Sequence, residues 1–302
     1  MPLHLSARPT SLDELLGNEH IKESLKNILE SEDKPRTYLL HGPSGTGKTS
    51  LSRIIAKELG CNMEMDFQEL NIAEARGIDS ARAIMEDMKY FPRGGSIKVY
   101  VLDEVQSSIA GFQEALLKPL EDTPSHVVFI LATTDPQKLK ATIRNRCSQF
   151  ELMPLPTVLI RKLLNNVLEK EGVETFPKEA INIISELSNG CPRDALQLLN
   201  QVIDIPTDED VIAFLKEKRA SEEATESLAK LLLQKADWKE VSKALKAMKE
   251  QDSEKTRNGI MAYCSKVLLD SGNKRVGMIM DIFSVPMYSF NLLVLASYKA
   301  IL

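Results

Sequence analysis

Hydrophobic residues fall into two regimes along the chain. Up to about residue 152, short β-rich runs alternate with stretches of helical period, the arrangement of an α/β fold whose parallel sheet is covered by helices. The predicted strands are Thr37–Leu40, Met65–Leu70, Ile97–Leu102, Val127–Ala132 and Ser148–Leu152. Val99-Tyr100-Val101-Leu102 and Val127-Val128-Phe129-Ile130-Leu131 are continuously apolar, as central strands buried on both faces should be. After Met153-Pro154-Leu155-Pro156 the strands cease. Helices are predicted over Val158–Lys170, Lys178–Leu187 and Pro192–Val202, followed by a helical tail from Asp208 that includes Glu222–Leu233, Trp238–Met248, Thr256–Leu269 and Met287–Leu302. Asp204-Ile205-Pro206-Thr207-Asp208, a proline followed by capping residues, reads as a linker. Three domains are expected, at 1–153, 154–205 and 206–302.

The strand at Tyr38-Leu39-Leu40 runs into Gly42-Pro43-Ser44-Gly45-Thr46-Gly47-Lys48-Thr49, and Ser50–Leu59 continues with helical period. A glycine-rich loop between a strand and a helix is a phosphate-binding device: its backbone N–H groups close around a polyphosphate, and the helix N-terminus adds partial positive charge. Lys48 would reach the β- and γ-phosphates, and the Thr49 hydroxyl would hold Mg²⁺. A second apolar strand delivers Asp103-Glu104 at its C-terminal end, the edge where open α/β sheets bind ligands. Asp103 suits organisation of the metal and Glu104 a base that polarises attacking water. A third strand ends in Thr133-Thr134-Asp135-Pro136. On spacing alone this is turn capping, although Thr134 could bring a hydroxyl to the γ-phosphate because adjacent strand ends lie ~5 Å apart.

Composition narrows the setting. The 302 residues carry a net charge of −5, which argues against gripping nucleic acid through a bulk positive field; any DNA contact must be local or shared with partners. Four scattered cysteines, Cys61, Cys147, Cys191 and Cys264, form no C-x-x-C pair and suggest neither a zinc knuckle nor a disulfide framework. The N-terminus has no signal-like apolar region, and no stretch approaches the ~20 apolar residues of a membrane span, so a cytoplasmic protein without membrane contact is expected. Trp238, His41 and the methionines read as packing residues.

The succession of the phosphate loop, Asp103-Glu104-Val105, Leu116–Asp122, Leu131–Leu139, Arg144-Asn145-Arg146-Cys147 and Gly190–Leu196 resembles the ATPase subunits of sliding-clamp loaders. These belong to the AAA+ superfamily, and the likeness is nearest to the gamma/tau subunit of bacterial DNA polymerase III, with similarity also to replication factor C small subunits. It extends to Arg8-Pro9 and Leu16–His20 and covers residues 5 to about 205; the tail is similar only in length and class. It implies an AAA+ phosphate-loop domain with a helical lid and an all-α collar. It also implies an ATPase that opens a sliding clamp and loads it onto primer–template DNA in a pentameric assembly with other loader subunits. By this resemblance Arg146 is an arginine finger acting in a neighbour's site, Thr134 the first sensor and Arg193, on the lid, the second. Arg8, Pro9, Leu16 and Gly17 enclose the adenine, with Pro192 opposite.

Asn145 stands where the family usually has serine, a mild polar change. The zinc module of the gamma/tau subunits is missing: the interval between the phosphate loop and the acidic strand holds only Cys61, so no zinc is expected. With no extension past Leu302, a pared-down loader of viral or archaeal-like organisation is expected. The likeness also puts DNA contacts at Ala75–Ser80 and Gln106–Ala110, with Arg76, Ser107 and Ser108 as candidates, and clamp contact around Ala110–Leu120. The last helix is apolar nearly all round, which suits a collar interface and burial in its own bundle equally. The alternatives are a nucleotide-dependent replication scaffold without hydrolysis and a DNA-repair or branch-migration motor. For the latter no appended DNA-reading domain is apparent.

Overall fold

The continuously apolar segments form the interior of a five-stranded parallel sheet in the computed structural model, which describes residues 2–75 and 77–302, and residue 270 by its backbone alone. The strands β1 (Thr37–His41), β2 (Phe67–Asn71), β3 (Lys98–Asp103), β4 (Val127–Thr133) and β5 (Ser148–Glu151) lie in the order β2-β3-β4-β1-β5. Every residue of β4 is buried, whereas the edge strand β2 leaves Gln68, Glu69 and Asn71 exposed. Register brings Asn71 beside Asp103, and His41 beside Thr133, so the polar strand ends share one edge of the sheet.

Two chain units are compact, Met1–Ile205 and Pro206–Leu302. The first contains the sheet, and strand alternation divides its core in two. On one face Tyr38, Leu40, Val99, Val101 and Ile130 meet Ile21 and Leu25 of α2 (Glu19–Glu30) and Leu51, Ile54 and Ile55 of α3 (Lys48–Glu58). On the other, Leu39, Tyr100, Leu102, Phe129 and Leu131 meet Ile84 of α4 (Ile78–Asp87), Phe112 and Leu116 of α5 (Ala110–Glu121) and Ile143 of α6 (Ala141–Arg144). Each large side chain removed from water in this way contributes about 1.5–3 kcal/mol. The short N-terminal α1 (Leu3–Ser6) packs on α9 (Pro192–Val202), where the Leu3 N–H donates to Asn200 Oδ1 at 3.2 Å. With α7 (Thr157–Lys170) and α8 (Lys178–Leu187), α9 completes the unit.

In the interval where the resembled family carries its zinc module, a carboxylate organises the chain. Asp66 is buried, and its oxygens accept from the backbone N–H groups of Arg93 (2.6 Å), Gly94 (2.8 Å) and Gly95 (2.7 Å). Burial works to raise its pKa, but these three donors and the Lys98 ammonium outweigh it and leave the carboxyl below its ordinary value. A Cβ at Gly95 would lie 2.6 Å from the Asn62 backbone nitrogen, so the loop closes there only with glycine.

The second unit consists of α10 (Asp208–Leu233), α11 (Trp238–Ala247), α12 (Ser253–Ser271), α13 (Lys274–Ile282) and α14 (Phe290–Ile301). The helical tail expected from Asp208 opens there with one unbroken 26-residue helix that takes in Glu222–Leu233, started by Thr207 Oγ1 accepting from the Asp210 N–H at 3.2 Å. It also contains α13, which the pattern does not single out. Arg275 of α13 ties two helix ends together, donating to the carbonyls of Leu232 (2.5 Å) and Leu233 (2.8 Å) on α10 and of Ala300 (2.8 Å) on α14. The final helix buries Leu293, Ala296 and Ala300 while exposing Leu292, Leu295 and Tyr298. No helix of the described residues is long and apolar enough to cross a membrane.

Candidate nucleotide site

The loop after β1 can fold as it does only because its glycines adopt left-handed backbone. Gly42 has φ 140° and Gly45 φ 75°; a Cβ would fall 2.2 Å from the Leu152 carbonyl oxygen at the first and 2.2 Å from Cys191 Sγ at the second. Helix α3 then begins at Lys48, whose ammonium donates to the carbonyls of Gly42 (2.8 Å) and Pro43 (2.9 Å). Thr46 is also buried and returns its hydroxyl to Pro43 O at 2.9 Å. Burial pushes the Lys48 pKa down; the carboxylates of Glu104 and Asp103 work against that, and Arg193 adds to it.

At the end of β3, the Thr49 hydroxyl donates to Asp103 Oδ2 at 3.0 Å, while Asp103 Oδ1 accepts from the Glu104 N–H at 2.9 Å. A hydroxyl and a carboxylate side by side form an oxygen-only donor pair that suits Mg²⁺. Glu104 itself has φ 52° and ψ 37°, a left-handed conformation that costs a side-chain-bearing residue about 1–2 kcal/mol. Strain of this kind persists where surrounding contacts hold it.

One cleft of the first unit is lined by Ser44, Gly45, Thr46, Gly47, Lys48, Thr49 and Ser50, by Asp103 and Glu104, by Arg8, Pro9 and Leu16 of the N-terminal segment, and by Pro192 and Arg193 of α9. His4, Asn166 of α7 and Lys170 of α7 also line it and were not anticipated from sequence. Gly17 supports the wall: at φ 68°, a Cβ there would stand 2.6 Å from Leu155, a lining residue.

Thr134 is linked to this constellation through Gln106, a residue that the sequence reading placed only at the head of a DNA-contact stretch. Gln106 Nε2 donates to Glu104 Oε2 and, at 3.0 Å, to Thr134 Oγ1; its Oε1 accepts from the Thr133 hydroxyl at 2.7 Å. A polar side chain one turn past an acidic strand end was the available signal. Arg146 stands apart from the cleft. It precedes β5, donates to Glu121 Oε2 (2.9 Å) and the Thr142 carbonyl (2.8 Å), and offers its own carbonyl to Thr37 Oγ1 at the start of β1. Of the candidate DNA residues, the Ser108 hydroxyl donates to Val105 O at 2.6 Å, and Ser107 sits in the same short turn, Val105–Ser107. Arg76 lies outside the described residues.

A parallel sheet of this order, with a phosphate loop after β1 and an acidic pair ending β3, is the AAA+ phosphate-loop fold, and residues 38–155 match the family described as "ATPase family associated with various cellular activities (AAA)". The chain therefore carries a domain of that family. It is similar to subunit tau of DNA polymerase III from Bacillus subtilis (strain 168), 34% identical over 221 residues, 67% of this chain and 39% of the relative. It is also similar to subunit gamma of the same polymerase from Buchnera aphidicola subsp. Schizaphis graminum, 35% identical over 218 residues, 66% of this chain and 60% of the relative. The chain thus matches less than two thirds of the length of either. Among solved structures, the RuvB Holliday junction branch migration motor of Thermotoga maritima superposes with a TM-score of 0.62 at 26% identity, covering 75% of this chain and 79% of that one.

Proposed function

We propose that this chain is an ATP-hydrolysing subunit of a sliding-clamp loader, which opens a clamp and loads it onto primer–template DNA during replication. The observation that carries the reading is the meeting of loop and acidic strand end in one cleft, Thr49 against Asp103, in a chain about 35% identical to named DNA polymerase III gamma and tau subunits over two thirds of its length. In this reading Lys48 binds the β- and γ-phosphates, Thr49 and Asp103 hold Mg²⁺, and Glu104 takes the proton of the attacking water. Thr134 and Arg193 contact the γ-phosphate. Arg8, Pro9, Leu16, Gly17 and Pro192 enclose the adenine. Arg146, outside its own cleft, completes a neighbour's.

The corresponding organisation is a nucleotide-binding domain at 1–153, a helical lid at 154–205 and a collar at 206–302, in a cytoplasmic pentamer with other loader subunits. The exposed Leu292, Leu295 and Tyr298 supply apolar surface for collar contacts. DNA is met by the turn at Ser107–Ser108 and by the segment containing Arg76.

The likeness to a branch-migration motor favours one rival, a motor that translocates on DNA without a clamp. Glu104→Gln separates the two. A loader carrying it should accumulate an ATP-bound complex with clamp and primer–template DNA; failure to form any clamp complex, together with movement of DNA junctions by the wild-type chain alone, would transfer the assignment to the rival.

A further inference from the structure

We infer that Gln106 is a positioning residue that locks Glu104 and Thr134 together and fixes the direction in which the Thr134 hydroxyl gives its proton. The inference rests on reading Glu104 as the base, and it adds a group that this reading does not include.

The orientation of the Gln106 amide is determined by its surroundings. Thr133 is fully buried, and its Oγ1 accepts from the Asp135 N–H at 3.1 Å, so its single proton is free to go to Gln106 Oε1, 2.7 Å away. The Thr134 N–H points to the same oxygen at 3.4 Å. Two donors on one side of the amide identify that side as the carbonyl. The NH₂ group must therefore face the other way, where it meets Glu104 Oε2 and Thr134 Oγ1.

Two consequences follow for the cleft. The Thr134 oxygen uses one lone pair to accept from the Gln106 NH₂, so its own proton is directed away from Gln106 and is available to be donated elsewhere. Glu104 Oε2 is engaged by Gln106, leaving Oε1 available to accept a proton from water. A base held in a left-handed backbone conformation needs such a tether, because otherwise relaxation of φ would swing the carboxylate away. Thr133, in turn, is the buried anchor that transmits the end of β4 to the side chain following β3.

The test uses the full-length chain under the conditions of its maximal ATPase activity, with Gln106→Met, Gln106→Glu, Glu104→Gln and Gln106→Met/Glu104→Gln. Turnover is measured beside the affinity for a fluorescent ATP analogue. Gln106→Met keeps the length but removes both donor and acceptor, and should lower kcat roughly 10- to 100-fold, part of the ~10²–10⁴ that a positioned base supplies. Nucleotide affinity should stay within about twofold, since the side-chain hydrogen bonds of Gln106 go to Glu104, Thr133 and Thr134. Gln106→Glu should also lower kcat, because a carboxylate cannot donate to Glu104; it carries the test if the methionine variant loses nucleotide binding. The double variant should be no slower than Glu104→Gln alone, since both act through one group. Wild-type turnover in Gln106→Met, or multiplied losses in the double variant, would overturn the role of Gln106 while leaving Glu104 as base. Wild-type turnover in Glu104→Gln would overturn the underlying reading.

Discussion

Replacing Asp66 by asparagine removes one charge and one acceptor from a site built around both. Asp66 Oδ2 accepts from Gly94 and Gly95, and Oδ1 from Arg93. The best an amide can do is keep its oxygen on the glycine pair and turn its NH₂ towards the Arg93 N–H. That sets the Arg93 N–H and the new NH₂ against each other without an acceptor, at about 1–3 kcal/mol, and reduces two charge-assisted bonds to neutral ones, at about 0.5–1 kcal/mol each. The expected loss is about 2–5 kcal/mol, a large fraction of the ~5–15 kcal/mol that holds a domain folded. Urea denaturation of the full chain, followed by circular dichroism, measures it. The pH dependence has a definite sign. The Asp66 pKa is depressed in the folded protein, so its contribution is complete well above the ordinary carboxyl value of 3.8 and disappears as pH falls through the folded value. The gap between wild type and Asp66→Asn should therefore be full at neutral pH and shrink below about pH 4. A variant within about 0.5 kcal/mol of wild type at neutral pH, or a gap undiminished at about pH 3, would refute the assignment of this carboxylate as the organiser of the loop.

Other consequences can be checked singly. Arg275→Met should destabilise the second unit by about 1–3 kcal/mol, because it takes a charged donor from three helix-end carbonyls. Fluorescence of Trp238, the only tryptophan and packed edge-on against Tyr298, reports that transition; an unchanged midpoint would contradict the capping role. Gly45→Ala should weaken ATP binding, and removal of the facing thiol in Gly45→Ala/Cys191→Ala should recover only part of it. The contact with Cys191 Sγ is then relieved, but the φ of 75° still disfavours a side chain by about 1–2 kcal/mol. Full recovery in an equilibrium binding assay would show that crowding alone was responsible.

Continuously apolar segments were the most legible part of the sequence. Burial on both faces leaves no alternation to misread, so β3 and β4 emerge within one residue of their expected bounds. Capping and proline signals also located Lys178–Leu187 and Pro192–Val202. The helical character from Asp208 was legible but the unbroken length of α10 was not, since Phe214 to Glu223 carries few apolar residues and long stretches of charge. In α13 the short Val-Gly-Met-Ile-Met run has no clear period, and its place is set by Arg275, a tertiary contact. The same limit applies to the cleft. A glycine-rich loop and an acidic strand end announce themselves by spacing, but Gln106 matters largely through residues 27 and 28 positions away, and its place just past Glu104 is a weak local sign of that. Likewise, the pairing of Arg146 with Glu121 spans 25 residues and depends on how α5 returns alongside the sheet.

The most direct measurement is steady-state ATP hydrolysis by the purified chain, alone and then with its companion subunits, a sliding clamp and primer–template DNA, for wild type and Arg146→Ala. The account predicts slow hydrolysis by the isolated chain and marked stimulation that requires clamp and DNA together. It also predicts loss of that stimulation in Arg146→Ala although the variant still binds ATP. Hydrolysis that stays unchanged in a complete assembly, or stimulation that survives the loss of Arg146, would contradict a clamp-loading motor with shared sites.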